Sequence, residues 1–274
     1  MIPKIQLSSD RCFLIGMVHL GPIFEGRDCP SLEEVERQAV EEAIVLADAG
    51  FDAILIENLG DAPFYPDQVP PHTIAGMTRI AMSIQAAFRK HKSPPVIGIN
   101  VMRNDSMGAI AICAASAGSF VRVNVHSGVM VTDQGLIHGK AHLSSRYRDQ
   151  YHQNCSIFAD VRVKHAAPLA ERSLKHEAIE LWKRGRADAL ILTGAQTGNV
   201  IVPQELRGLR QAIPSCPLIA GSGVTPEQLS QLLPYIEGII VGTWLKEDAE
   251  VVNPISPDRA KHFVNAVRAF EKNR

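Results

Sequence analysis

The chain lacks the features that mark several large classes of protein. No apolar stretch approaches the roughly 20 residues that a membrane-spanning helix needs, and the first residues show no signal-peptide pattern. The 28 lysines and arginines nearly balance 29 aspartates and glutamates, for a formal net charge of −1. Such a chain has no overall field to attract nucleic acid or an acidic membrane. We therefore expect no nucleic-acid partner, and contact with a membrane only at its periphery.

The chain has few cysteines, and their spacing in the sequence indicates no disulfide pairs. An odd number of cysteines without a Cys-x-x-Cys motif argues against a disulfide framework and against a zinc ribbon. The five are Cys12, Cys29, Cys113, Cys155 and Cys216. We expect a reduced chain in the cytoplasm, with no resident cofactor and no metal ion. Ser/Gly/Pro-rich linkers and low-complexity tracts are also missing, which favours a single domain over residues 1–274, either alone or as a homo-oligomer.

Eight short apolar runs alternate with amphipathic segments along the chain. Parallel strands covered on both faces have this composition. A TIM barrel needs about 250 residues, which suits a chain of 274. The predicted strands are Phe13–Val18, Ala53–Glu57, Val96–Val101, Phe120–Val125, Ser156–Val163, Ala189–Thr193, Pro217–Ala220 and Gly238–Val241. The fold class predicted from this alternation is α/β, a single TIM-type (β/α)8 barrel.

Capping signals support the helices between these strands. Ser31 with Glu34 forms a capping box, and the helix that starts there ends near Gly50. Further helices are predicted at His72–Lys92, Asp105–Ala117, Ser173–Arg184, Pro203–Ala212, Thr225–Leu233 and Pro257–Lys272. One connection, residues 126–155, is unusually long, and long loops in compact domains are generally functional or disordered. Because it follows the fourth strand, we expect a lid-like segment over the carboxyl-terminal mouth of the barrel.

Two turns that contain glycine follow the last two predicted strands. Leu218–Val224 and Gly238–Thr243 are short β-branched runs that end in glycine, about 20 residues apart. Glycines at the carboxyl end of a strand let backbone N–H groups approach an anion, and a TIM barrel holds phosphate after its last two strands. The residues predicted to bind phosphate are Gly221, Ser222, Gly223, Gly242 and Thr243. The alternative is that these glycines only form tight turns.

Polar side chains end six of the predicted strands. Alternate residues of a barrel strand point inward, and active sites lie at the carboxyl ends. The fourth strand offers Arg122, Asn124 and His126 in one phase, and the fifth offers Asp160, Arg162 and Lys164. The remaining strand ends are His19, Glu57, Asn100 and the pair Thr193-Gly194. The alternative is a barrel core held by ion pairs, such as Glu57 with Arg122 and Asp160 with Arg162.

These strand ends suggest acid–base chemistry. We predict Glu57 and Asp160 as the general acid/base pair, with Lys164 stabilising an enolate or forming a Schiff base, and His19 completing the catalytic set. Substrate contacts are predicted for Asn100, Arg122, Asn124, Thr193, Gly194 and the glycine turns. A metal site built from His19, Glu57, Asp160 and His165 is the less favoured alternative, because these residues lack ligand spacing.

The chain resembles the BtpA/SgcQ family. Segments that match the family occur in the same order through most of the chain. The matching segments are Gly16–Leu20, Glu57-Asn58 with Asp61–Phe64, Gly98–Val101 with Arg103–Asp105, Arg122–Val125, Gly128–Gly135, Ala159–Val161 with Lys164–Ala166, and Gly221–Gly223. The resemblance is closer to the BtpA branch than to SgcQ. It implies a TIM-like barrel and, for the name-giving cyanobacterial member, a peripheral thylakoid role in photosystem I biogenesis, but it supplies no established reaction.

Two functions of different classes follow from these observations. The first is an enzyme that acts on a phosphorylated small metabolite, a sugar phosphate or a nucleotide-like compound, by isomerase, epimerase or lyase chemistry. The phosphate turns and the polar strand ends favour it. The second is a non-catalytic biogenesis factor for a membrane complex, favoured by the family name. A scaffold alone would have little need for Glu57, Asp160 and Lys164 at one mouth.

Overall fold

A computed structural model describes residues 4–24, 29–193 and 202–272 of the chain. The strands are β1 (Phe13–His19), β2 (Ala53–Glu57), β3 (Val96–Asn100), β4 (Phe120–Val123), β5 (Val129–Thr132), β6 (Gly135–His138), β7 (Ser156–Asp160), β8 (Ala166–Pro168), β9 (Ala189–Thr193), β10 (Leu218–Gly221) and β11 (Gly238–Val241). Eight parallel strands close into a barrel in the order β1-β11-β10-β9-β7-β4-β3-β2, and β6-β5-β8 form a small separate sheet. The predicted TIM-type barrel is therefore confirmed.

Helices follow the barrel strands close to the predicted bounds. They are α1 (Leu32–Ala49), α2 (Pro71–Ala87), α3 (Ser106–Ser116), α4 (Ala141–Tyr151), α5 (Leu174–Lys183), α6 (Pro203–Ala212), α7 (Leu229–Leu232) and α8 (Pro257–Lys272). The capping box of Ser31 and Glu34 is formed, and Gly50 ends α1 in the left-handed conformation. The predicted helix over Thr225–Leu233 is instead a short 3₁₀ turn, the single turn of α7 and a second 3₁₀ turn.

The barrel interior is apolar at its amino end and polar at its carboxyl end. Its lower layers hold Ile15, Met17, Ala53, Leu55, Phe120, Phe158, Ala189, Ile191, Ile219 and Ile240. The rings of Phe120 and Phe158 stack with centroids 4.8 Å apart. Continuing the same alternation brings His19, Glu57 and Asn100 level with one another, since these three are register partners on β1, β2 and β3. The apolar layers thus form a floor beneath a polar mouth.

The long connection after β4 contains two different structures. Its first half is a hairpin of β5 and β6, which pairs through β5 with β8, the strand that follows β7. Its second half, α4, packs against α3 and takes the place of the fourth helix of the outer ring. A (β/α)8 barrel needs a helix there to cover the sheet, and α4 supplies it. The lid-like role of residues 126–155 stays a prediction, and the hairpin is the part of the segment that it concerns.

Gly98 on β3 makes room for the aromatic floor. A Cβ at this position would lie 2.1 Å from the ring of Phe120, which is fully buried and stacked. Neither ring can move away without disturbing the packing below the mouth.

We predict that Gly98→Ala lowers the free energy of unfolding by about 2 kcal/mol, because overpacking a filled core costs about 1–3 kcal/mol. Urea denaturation measures this. Gly208→Ala is the control, since a Cβ there meets no atom within 4 Å and alanine favours the helix. Equal stability of the two variants would contradict the account of the floor.

Candidate functional site

The carboxyl ends of the barrel strands bring most of the predicted side chains into one mouth. Glu57, Asn100, Arg122, Asn124 and Asp160 are all buried there. Hydrogen bonds and ion pairs join these five side chains. The contacts agree with the inward orientation predicted for the polar residues at the ends of the barrel strands. His19 and Thr193 border the same group.

Arg122 and Asp160 form a bidentate ion pair at the base of the mouth. Arg122 Nε donates to Asp160 Oδ2 at 3.0 Å, and Arg122 Nη2 donates to Oδ1 at 3.1 Å. Asn124 Nδ2 adds a third donor at 3.0 Å and Thr193 Oγ1 a fourth at 3.4 Å. Burial opposes the charge of Arg122, but Asp160 and Glu57 raise its pKa above the ordinary value. Asp160 is therefore committed to holding Arg122.

Glu57 has a looser environment than Asp160. Its Oε2 accepts from Asn100 Nδ2 at 2.5 Å, and Arg122 Nη1 lies 3.9 Å from the same oxygen. Its Oε1 faces His19 Nε2 at 3.9 Å, beyond hydrogen-bond distance. One carboxylate oxygen is thus oriented by the protein while the other is left with weaker contacts.

His19 is a neutral imidazole at the same level. Burial, with help from Lys246 and Arg122, lowers its pKa to about 3. Its Nδ1 is buried and has no hydrogen-bond partner among the described residues. A Cβ on Gly242 would lie 2.8 Å from His19 Cε1, so the ring packs against the glycine of the last strand end.

Lys164 and Arg162 are not where the alternation predicted them. Strand β7 ends at Asp160, and the chain turns before His165, which has a φ of 56°. Arg162 consequently leaves the barrel and pairs with Glu177 of α5 at 2.9 Å, which corrects its predicted inward position. It also rules out the pairing with Asp160 that the alternative interpretation of the barrel core suggested. Lys164 is half-buried, and burial together with nearby Arg122 lowers its pKa. Lys164 therefore lies on the turn that follows β7 rather than on the strand, farther from the apolar floor of the barrel than Asp160.

His126 also lies outside the mouth, because β4 ends at Val123 and the phase of the strand is lost before it. Its Nε2 is 2.8 Å from the carbonyl of Gly185, and its Nδ1 is 3.5 Å from Ser144 Oγ on α4. Burial lowers the pKa of this histidine as well. These contacts correct the prediction that His126 shares the phase of Arg122 and Asn124.

Arg103 is a mouth residue that the strand pattern missed. It follows β3, is only 5% exposed, and donates through Nη2 to the carbonyl of Lys164. Burial lowers its pKa, against the opposing influence of Asp160, Asp133 and Glu57. Its only signal in the sequence is its place in the Arg103-Asn104-Asp105 segment, directly after a strand.

The two glycine turns lie side by side at the ends of β10 and β11, which are neighbours in the barrel. Gly221 and Gly242 continue the inward register without side chains of their own, and neighbouring side chains pack close to both glycines. A Cβ on Gly221 would lie 2.6 Å from Ile191 Cγ2, whereas a Cβ on Gly223 would meet no atom within 4 Å. Ser222 and Gly223 have φ values of 57° and 74°. Within the described ranges, no residue accepts a hydrogen bond from the backbone N–H groups of Ser222, Gly223 or Gly242. Gly194, predicted to contact substrate, lies outside the described residues.

Neither a metal cluster nor a membrane span is found in the part of the chain that the structure describes. No group of three or more His, Cys, Asp and Glu side chains there has a metal-binding arrangement. The described helices also lack the combination of length and apolar character that crossing a bilayer requires.

Comparison with known sequences identifies the family. The model of the BtpA family matches residues 11–269. The chain belongs to the BtpA family. An uncharacterized protein of Methanocaldococcus jannaschii is 40% identical over 92% of this chain and 94% of its own length. The photosystem I biogenesis protein BtpA of Synechocystis is 38% identical over 93% of this chain and 87% of its own length.

Solved structures agree with the fold. The structure described as native KDPGal has a TM-score of 0.57 at 18% identity, covering 95% of this chain and 96% of that one. The phosphoribosylanthranilate isomerase of Pyrococcus furiosus has a TM-score of 0.53 at 10% identity, covering 94% of this chain and all of that one. At these identities the likeness concerns the barrel alone.

We predict that Asp160→Asn destabilises this BtpA-family protein by about 3 kcal/mol, because it leaves the buried Arg122 charge without its main partner. Chemical denaturation measures the loss. Glu177→Gln is the control, since it breaks the partly exposed pair with Arg162 and should cost less than about 1 kcal/mol. An Asp160→Asn variant as stable as Glu177→Gln would contradict the assigned role of Asp160.

Proposed function

We propose that the protein is an enzyme that binds a phosphorylated small metabolite and moves a proton on it, in a reaction of the isomerase, epimerase or lyase type. The observation that carries this proposal is the joint placement of two glycine turns and a set of titratable side chains at one barrel mouth. Convergent acid–base groups beside an anion anchor are what such chemistry requires.

The phosphate anchor is assigned to the turns after β10 and β11. Their backbone N–H groups lack acceptors among the described residues, and anions are well held by such groups next to the last strands of a barrel. Phosphate would lie against the turn at Gly223, where a Cβ would meet no atom within 4 Å. Ser222 and Thr243 add hydroxyl donors at the same two turns.

The proton transfer is assigned to Glu57 as base. Its Oε2 is oriented by Asn100 and its Oε1 has no hydrogen bond as short as that one. Lys164, whose pKa burial lowers, supplies a proton or positive charge to the substrate oxygen that becomes negative. Neutral His19 contributes a hydrogen-bonding nitrogen, and Asp160 holds Arg122 in place rather than transferring a proton.

A non-catalytic role in the biogenesis of a membrane complex is the second candidate. The name of the Synechocystis relative supports it, and a peripheral contact with a membrane would accompany it. In such a protein the carboxylate of Glu57 would be dispensable.

We predict that Gly223→Val weakens the binding of inorganic phosphate and of fructose 6-phosphate by at least 10-fold, because a β-branched residue does not adopt a φ of +74° and would reshape the turn. Isothermal titration calorimetry measures both affinities. Gly50→Val is the control, because Gly50 also has a positive φ, +98°, and a Cβ there meets no atom closer than 3.7 Å, but it ends α1 away from the mouth. Equal losses in the two variants, or none in Gly223→Val, would remove the phosphate anchor.

We predict that Glu57→Gln lowers turnover by at least about 100-fold, the usual contribution of a general base. Sugar phosphates are incubated with the protein in D₂O, and deuterium incorporation at carbon is followed by NMR. Glu177→Gln removes a carboxylate outside the mouth and should retain the wild-type rate. Absence of exchange with the wild-type protein, together with full activity of Glu57→Gln in cells that lack the native gene, would contradict the enzyme proposal and favour the biogenesis role.

A further inference from the structure

Arg103 is a buried cation with no carboxylate of its own. Asp160, Asp133 and Glu57 act on its charge only from a distance, and its Nε has no hydrogen-bond partner within the described ranges. Asp160 is engaged by Arg122 and Glu57 by Asn100, and Asp133 is an exposed residue of the hairpin turn. A buried charge without a partner is costly, which indicates that something else neutralises Arg103.

The backbone around Arg103 is firmly held. Met102 N donates to Asn58 Oδ1 at 2.7 Å, and Arg103 N donates to the carbonyl of Tyr65 at 3.0 Å. The side chain of Asn104 exchanges two hydrogen bonds of 2.9 Å with the backbone of Val125. These bonds connect the ends of β2, β3 and β4, so the guanidinium is presented from a rigid support rather than from a loose loop.

The barrel topology sets Arg103 opposite the glycine turns. In the closed order β1-β11-β10-β9-β7-β4-β3-β2, the pair β3 and β4 lies across the ring from the pair β10 and β11. Eight strands about 4.8 Å apart and tilted by about 36° close a ring about 15 Å across. The Arg103 guanidinium donates to the carbonyl of Lys164, on the turn after β7, and Asp160 and Glu57 of the mouth influence its charge. A ligand that reached from Arg103 to the glycine turns would therefore be a small molecule.

We propose that the ligand carries two anionic groups, a phosphate held by the turns after β10 and β11 and a second phosphate or carboxylate held by Arg103. This inference rests on the phosphate anchor of the proposed function and deepens it by naming the substrate class. The guanidinium fork suits either anion because it matches the planar carboxylate and two oxygens of a phosphate. Glu57 and Lys164 then lie between the two ends, beside the carbon atoms that react.

Three six-carbon probes test the second anion by calorimetry. Fructose 6-phosphate carries one phosphate, fructose 1,6-bisphosphate carries two, and 6-phosphogluconate carries a phosphate and a carboxylate. We expect at least one of the two doubly charged probes to bind the wild-type protein at least 10-fold more tightly than fructose 6-phosphate. Which of them gains affinity identifies the second group as phosphate or carboxylate.

Arg103→Met should abolish that gain while leaving the affinity for fructose 6-phosphate unchanged, and Gly223→Val should weaken all three probes. Arg103→Lys keeps the charge without the fork, should lose part of the gain, and provides the same readout if Arg103→Met does not fold. Arg162→Met is the matched control, because this arginine is paired with Glu177 outside the mouth. It should leave every affinity unchanged.

Two outcomes overturn the inference in different ways. Equal affinities for the three probes, with a loss only in Gly223→Val, would leave the phosphate anchor intact and show that Arg103 holds no second anion. Failure of all three probes to bind at millimolar concentration would contradict both the anchor and the second-anion site.

Discussion

Asp160 and Arg122 face each other at the ends of two neighbouring strands, and each carboxylate oxygen accepts a hydrogen bond from a guanidinium nitrogen. A charge pair this deeply buried is tolerated only when its remaining hydrogen-bonding capacity is also satisfied, and Asn124 and Thr193 supply those donors. The pair rests on the aromatic floor of Phe120 and Phe158 and fixes Arg122 within 3.9 Å of Glu57. Because Asp160 is used in this way, we propose Glu57, Lys164 and His19 for the chemistry of the mouth.

Much of this arrangement could be predicted from the sequence. The apolar runs identified the barrel strands, and the single polar residue at the end of β1, β2 and β3 revealed the inward register, since His19, Glu57 and Asn100 are level with one another. The glycines after β10 and β11 indicated the positions of the two turns. These signals succeed because burial acts directly on the residue pattern of a parallel strand.

The rest depended on contacts that no local pattern encodes. The alternation of polar and apolar residues continues in the sequence from Asp160 to Lys164, yet the strand ends at Asp160. Periodicity shows on which face of a strand a residue lies, but not where the strand ends. Arg103 belongs to no strand, and only the fold brings it over the mouth. The helix α4 was grouped with the hairpin before it, since a long connection does not reveal how much of it covers the barrel wall.

We propose that the mouth binds a phosphorylated metabolite with its phosphate at the turns after β10 and β11. A crystal structure with bound fructose 1,6-bisphosphate would show the position of that phosphate. We expect one phosphate within hydrogen-bond distance of the N–H groups of Gly223 and Gly242, with the carbon chain passing over Glu57. Phosphate bound outside the mouth, or N–H groups at these turns that point away from a common centre, would contradict it.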